Sequence, residues 1–158
     1  MMGLCTTAYE VAARFIGEKE IAGDEDNPLI EYMVEMDSPW FDGDEVPWCS
    51  GFVNFVARVL GLQRSRSLRA RSWLRVGREV PLSAARRGFD VVVLKRGSDP
   101  QPGPEVIDAP GHVGFFNGYT PEGSGLVSIL GGNQKDAISI MAFDASDVLS
   151  VRRLGQEL

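Results

Sequence analysis

The hydrophobic pattern of this chain changes period once, near Gly77, and does not change back. Before that point apolar residues recur at helical spacing. After it they gather in short β-branched or aromatic runs punctuated by Gly, Pro and Asn. Val11, Ala12, Phe15 and Ile16 share one helical face behind Thr7-Ala8-Tyr9-Glu10, which fits a capping box. They predict a helix over residues 7–20, weakened by Gly17 and ended by Gly23. Asn27-Pro28 is a second start, with Asn as cap, Pro in the first helical position and Ile30, Met33 and Val34 facing inward. Residues 37–47, rich in acids, Pro and Gly, read as a loop. Phe52, Val53, Val56, Val59 and Leu60 form the stripe of a third helix that begins at or just before Cys49 and stops at Gly61. Ser67 is placed to cap a fourth, over 68–76, with Trp73 and Leu74 inward.

Strands are predicted at 91–94, 112–116, 126–130, 137–143 and 149–154, with a turn-rich loop over 99–104 and a long hairpin loop over 117–125. Helices first and strands after, without alternation, disfavour a doubly wound sheet. They point to an α+β fold: N-terminal helices packed on an antiparallel sheet of about five strands. The 158 residues suit a single domain spanning 1–158.

Composition narrows the function classes. With 44% hydrophobic and 24% charged residues the chain is expected to be globular, and no apolar run approaches the ~20 residues of a membrane helix. No membrane insertion is therefore expected. The first residues lack a basic region and a long apolar core, so no secretory leader is expected either. Charge is segregated: −10 over residues 1–48, +9 over 49–96 and −5 over 97–158. The basic block, with Arg64, Arg66, Arg69, Arg71, Arg75, Arg78, Arg86 and Arg87, has two readings. It is an anion-facing surface, or a solvated face that pairs with the acidic N-terminal stretch. The net charge of −6 favours the second reading and no nucleic-acid partner.

Two cysteines, Cys5 and Cys49, are too few for a disulfide framework, and a single histidine, His112, makes a structural zinc site unexpected. No metal or cofactor is expected. A distant Cys and His have one option with chemical content, to meet as nucleophile and base. Cys49 lies where a loop enters a helix, whose free N–H groups and positive end are expected to lower the thiol pKa. Near neutral pH it is then expected to outrun Cys5 toward an alkylating agent. Cys5 has no such setting and is taken as structural or incidental. In a strand, His112, Gly114 and Phe116 share a face, and Gly114 leaves room there for a group such as the Cys49 sulfur to come close. The base needs an orienting group. Asn133, at the end of the following strand, is the first candidate, with Gln134 and Asp136 nearby. The alternative for Asn133 is a plain turn residue after Gly131-Gly132.

Several of these segments resemble a known superfamily. Trp48-Cys49-Ser50-Gly51-Phe52-Val53 is similar to the Cys-Ser-Gly-Phe-Val nucleophile motif of NlpC-type cell-wall peptidases. His112-Val113-Gly114-Phe115-Phe116-Asn117-Gly118 resembles their His-Val-Gly-Ile-Tyr-x-Gly strand. The order Cys, His, polar residue is shared with the CHAP amidohydrolases, and Asp90-Val91-Val92-Val93-Leu94 resembles the Gly-Asp-x-Val strand of both. Asn27-Pro28, Pro47-Trp48-Cys49-Ser50, Ala70-Arg71-Ser72-Trp73 and Gly131-Gly132-Asn133-Gln134 resemble small phage and bacterial members of the group. These islands span residues 27–153. Trp48 stands where NlpC-type enzymes often have Asp, Asn133 where they often have His, and Phe89 where Gly is usual.

The resemblance implies a papain-like fold and hydrolysis of amide or peptide bonds in peptidoglycan through an acyl-enzyme. Cys49 would be the nucleophile, His112 the base and Asn133 the third group. It implies an endopeptidase or an N-acetylmuramoyl-L-alanine amidase whose partner is the peptidoglycan stem peptide, acting as a bacteriolytic endolysin or as an effector. Such a protein would be made without a leader and reach the wall by a holin, a tail or a secretion machine. Trp48, Ser50 and Trp73 are candidate substrate-binding residues, the two tryptophans being equally suited to a core. The competing readings are a cysteine protease or acyltransferase on other substrates, and a non-catalytic binding or virion-assembly module that retains the fold.

Overall fold

The computed structural model describes residues 5–22, 25–39, 47–98, 100–121 and 123–158. The predicted Gly23 stop, most of the 37–47 loop, and positions 99 and 122 of the later loops lie outside them. The order is α1 (Ala8–Ala13), α2 (Pro28–Glu35), α3 (Cys49–Val59), then β1 (Arg78–Val80), β2 (Asp90–Lys95), β3 (Gly111–Tyr119), β4 (Leu126–Gly131), β5 (Ser139–Asp144) and β6 (Val148–Arg153).

The local signals work as read. Thr7 and Glu10 close a reciprocal capping box, and the Asn27 side chain accepts from the N–H of Leu29 with Pro28 at the first helical position. α1 is shorter than its apolar stripe, because tertiary pairing takes over its expected second half. Gly17 has φ +102°. Its N–H donates to the carbonyl of Ile138, that of Glu20 donates to Asp136, and that of Ile138 donates back to Glu18. The predicted fourth helix is a short 3₁₀ helix, Ala70–Arg75, with Trp73 fully buried.

The sheet has six antiparallel strands in the order β1-β6-β2-β3-β4-β5. The five predicted strands are present. The addition is β1, a three-residue edge strand that buries only Val80 and so carries no readable alternation. Each face of the sheet has its own core. Phe52, Val53 and Val56 of α3 pack with Val91, Val93, Val113, Phe115 and Leu130. Val92, Leu94, Phe116, Val127, Ile129 and Val151 pack on the opposite face. At ~25 cal/mol per Å² of apolar surface removed from water, these two layers dominate the stability.

Arginine from the basic block and beyond is largely spent on structure. Arg64 pairs with Asp37 of the acidic N-terminal stretch at 2.8 Å. Arg66 pairs with Glu157, and Arg69 with Asp108. Arg153 grips the buried Asp90 through two nitrogens at 2.7 and 2.8 Å, tying the start of β2 to the end of β6. Arg71, wholly buried, donates to the carbonyls of Pro102, Gly103, Val106 and Pro110 and so fastens the segment that leads into β3. Among the described residues no helix is long and apolar enough to cross a membrane.

Candidate active site

Cys49 is the first residue of α3, preceded by Trp48, whose side chain does not cap the helix. A buried polar network holds this first turn in place. The Ser50 hydroxyl donates to the carbonyl of Ser67 at 2.5 Å and accepts from the Trp73 indole at 2.9 Å. One turn on, the Asn54 amide donates to the same carbonyl and to the Ser65 hydroxyl, and accepts the N–H of Arg66. The Trp48 indole donates to Glu20 at 2.6 Å. The N-terminal end of α3 is thus pinned from three sides.

This corrects the substrate-binding expectation for Trp48, Ser50 and Trp73. All three are 0% exposed, with their polar atoms consumed inside the protein, so none reaches a cleft. Their side chains hold the site from beneath. Asn54 belongs to the same network and was missed. Its signal was a polar residue four positions after Ser50 on an otherwise apolar helix, the spacing that stacks side chains on one face.

The Cys49 side chain is 1% exposed. Burial pushes its thiol pKa up. The Val113 N–H, the Arg96 charge and the backbone amides of Ser50 and Cys49 oppose that rise without cancelling it. The expectation of a thiol lowered by the helix start is therefore reversed: desolvation outweighs the helix terminus. Cys49 lines an open hollow of about 350 Å³ whose other walls include Pro47, Ala70, Arg96, Asp108 and Gly111.

His112 lies near the start of β3, and its Nε2 is 2.9 Å from Oε1 of Gln134. The NH₂ of Gln134 donates to the carbonyls of Ser139 at 2.7 Å and Ile129 at 3.3 Å. With those donors committed, the amide oxygen faces the ring, so Nε2 of His112 carries the proton and Nδ1 is left with its lone pair. Burial lowers the His112 pKa, as does the charge of Arg96, against the contact from Gln134. The imidazole is also stacked on Phe143, ring centroids 5.1 Å apart.

The orienting contact therefore comes from Gln134 and not from Asn133. Asn133, Lys135 and Asp136 all have left-handed backbone, with φ between +54° and +59°. Asn tolerates that conformation, which accounts for Asn at 133, and the turn directs the following side chain to the ring. Asp136 contributes a backbone carbonyl to Glu20. The double glycine before Asn133 makes room as well: a Cβ on Gly132 would lie 2.5 Å from the Trp48 ring.

Cys49 and His112 converge on the same end of β3 from different faces. α3 packs against the Val113 and Phe115 face. His112 belongs to the alternate set, and the space beside Gly114 is filled by β4, where a Cβ would meet Ile129 at 2.5 Å and the carbonyl of Leu130 at 2.9 Å. The sulfur thus does not use the Gly114 gap. It meets the main chain one residue beyond His112, at the N–H of Val113. No hydrogen bond joins the thiol to the ring in this arrangement. Arg96, just after β2, lines both the Cys49 hollow and a smaller one, about 140 Å³, that holds His112, Asn133 and Gln134. Nothing in the sequence singled it out. Among the described residues no group of three or more His, Cys, Asp or Glu side chains is placed to hold a metal ion.

No family model matches this sequence. No curated protein matches it either. A solved structure of NlpC1 from Trichomonas vaginalis shares the fold at TM-score 0.52 and 16% identity, covering 99% of this chain and 47% of that one. The chain thus spans about half the length of that protein. The likeness establishes an NlpC-like α+β fold.

Proposed function

We propose that this chain is a cysteine hydrolase that cleaves an amide bond of peptidoglycan, with Cys49 as nucleophile, His112 as base and Gln134 as the group that orients the base. One observation carries the reading: the Gln134 amide, with both its donors committed, fixes His112 with a bare Nδ1 at the start of β3, where α3 brings Cys49. The NlpC-like fold and the motif order Cys, His, polar residue support it.

The two groups start neutral, because burial raises the thiol and lowers the imidazole. Nucleophile–base hydrogen bonds are often long before substrate binds and close in the Michaelis complex. On that basis substrate entry brings the sulfur and Nδ1 together, and the thiol proton passes to Nδ1. The sulfur attacks the carbonyl carbon to give a tetrahedral oxyanion, which the Cys49 backbone N–H at the helix start helps to hold. The C–N bond breaks as His112 returns the proton to the leaving amine. Water, deprotonated by His112, then cleaves the thioester. The substrate is read as the stem peptide, and the protein would meet it in the periplasm or outside the cell, delivered by a holin, a tail or a secretion machine.

One observation favours a second reading, a non-catalytic module: the sulfur is buried and faces a backbone amide instead of the ring. Turbidity of purified, outer-membrane-stripped sacculi separates the two. Wild-type protein clears the suspension and Cys49→Ala does not if the chain is a hydrolase; identical curves for both leave the binding module.

A further inference from the structure

Arg96 sits at the junction of the two hollows, bordering Cys49 on one side and His112 on the other. It is exposed, and among the described residues it makes no ion pair. That separates it from Arg64, Arg66 and Arg153, whose guanidinium groups are satisfied by Asp37, Glu157 and Asp90. Lys95 and Lys135 border the His112 hollow as well, so a chain of net charge −6 gathers cations beside its candidate base. The charge of Arg96 reaches both Cys49 and His112, although burial is the larger influence on each.

A guanidinium offers a planar fork of donors that matches a carboxylate, and an unpaired one at the rim of a hollow is ready to take one. We propose that Arg96 is a specificity-determining residue that binds a carboxylate of the substrate next to the scissile amide. The inference rests on the hydrolase reading and deepens it, naming the chemical class of substrate: an anionic peptide with a free carboxylate flanking the bond to be cut. Asp108, which lines the Cys49 hollow, is paired with Arg69 and not with Arg96.

Binding is measured separately from turnover, so that the two readings fail independently. The probes are a stem tetrapeptide, L-Ala-γ-D-Glu-meso-diaminopimelyl-D-Ala, and variants in which each carboxylate is amidated in turn. Their affinities are measured by calorimetry on the Cys49→Ala protein with Arg96 intact, with Arg96→Gln, and with Arg58→Gln at the far end of α3 as a control for net charge. A charge-assisted pair of this kind is worth about 10- to 100-fold. Amidating one particular carboxylate is expected to weaken binding by that factor when Arg96 is present, and to change little in Arg96→Gln. The Arg58→Gln protein keeps the full discrimination. Equal affinities for every probe, or the same loss in Arg96→Gln as in the Arg96 protein, overturns the assignment. Discrimination that persists in Arg96→Gln assigns the carboxylate to another cation and overturns it too. Failure of the wild-type protein to cleave a probe that it binds through Arg96 removes the hydrolase and leaves the carboxylate site standing.

Discussion

Cys49 and His112 lie at the same end of the molecule but are held there by different means. Cys49 stands on a helix whose first turn is bolted down by Ser50, Asn54 and Trp73, all donating or accepting within a buried network. His112 is held by its hydrogen bond to Gln134 and its stack on Phe143, and Gln134 itself rides on a turn of three left-handed non-glycine residues. One region spreads its positioning over many bonds. The other concentrates its hydrogen bonding in one amide, on a backbone of the kind that clusters at functional sites. The comparison predicts that perturbing the network under Cys49 costs stability alone, whereas perturbing Gln134 costs chemistry as well.

The largest effect expected is from the reacting groups themselves. Cys49→Ala and His112→Ala should each remove turnover of sacculi by the ~10²–10⁴ of a lost base or more, with both proteins still folded by circular dichroism. Gln134→Ala comes next: it should lower kcat of the folded protein by at least ~10-fold through the freed imidazole, on top of the ~1–3 kcal/mol of stability that its stranded carbonyl partners cost. Asn133→Gly, which relieves the left-handed backbone, should do far less, and a larger loss for Asn133→Gly than for Gln134→Ala would invert the assignment. On the other side, Asn54→Ala strands buried partners. It should cost about 1–3 kcal/mol in urea unfolding, with activity of the remaining folded protein close to wild type.

Smaller effects follow from the protonation states. His112 is held below its ordinary 6.5 by burial, so the folded protein takes up its proton less readily than the unfolded chain. Its contribution to stability is complete above about pH 6.5 and is lost as the pH falls toward the folded value, so His112→Gln should flatten the acid side of the stability profile. Without substrate, iodoacetamide at neutral pH should modify exposed Cys5 before buried Cys49, the reverse of what the sequence suggested. Fast labelling of Cys49 would show that the thiol opens to solvent unaided.

Much of this arrangement was legible before any coordinates. The capping box at Thr7 and Glu10, the Asn27-Pro28 start and the stripe beginning beside Cys49 are local signals, and the local geometry obeys them except at Val59, which is exposed. What escaped was set by tertiary contact. α1 stops early because residues 17–20 pair with 136–138, a partner more than a hundred positions away. Asn133 looked like the orienting group because Asn suits the role, yet a left-handed turn brings the adjacent Gln134 against the ring instead. Trp48 and Trp73 looked equally fit for cleft or core, and their indole N–H groups found partners within the fold. The thiol pKa was misjudged because helix position is visible in a sequence and burial is not.

The account turns on a covalent bond between the Cys49 sulfur and the substrate. Rapid acid quench of wild-type protein with sacculi fragments, followed by mass spectrometry of the peptide containing Cys49, reads that bond directly. An acyl adduct on Cys49 is expected in the quenched wild-type protein, together with released fragments carrying a new amine, and no adduct in His112→Ala, which lacks the base for acylation. An unmodified Cys49 peptide in the wild-type protein, beside wall peptides as intact as those left by Cys49→Ala, would contradict it.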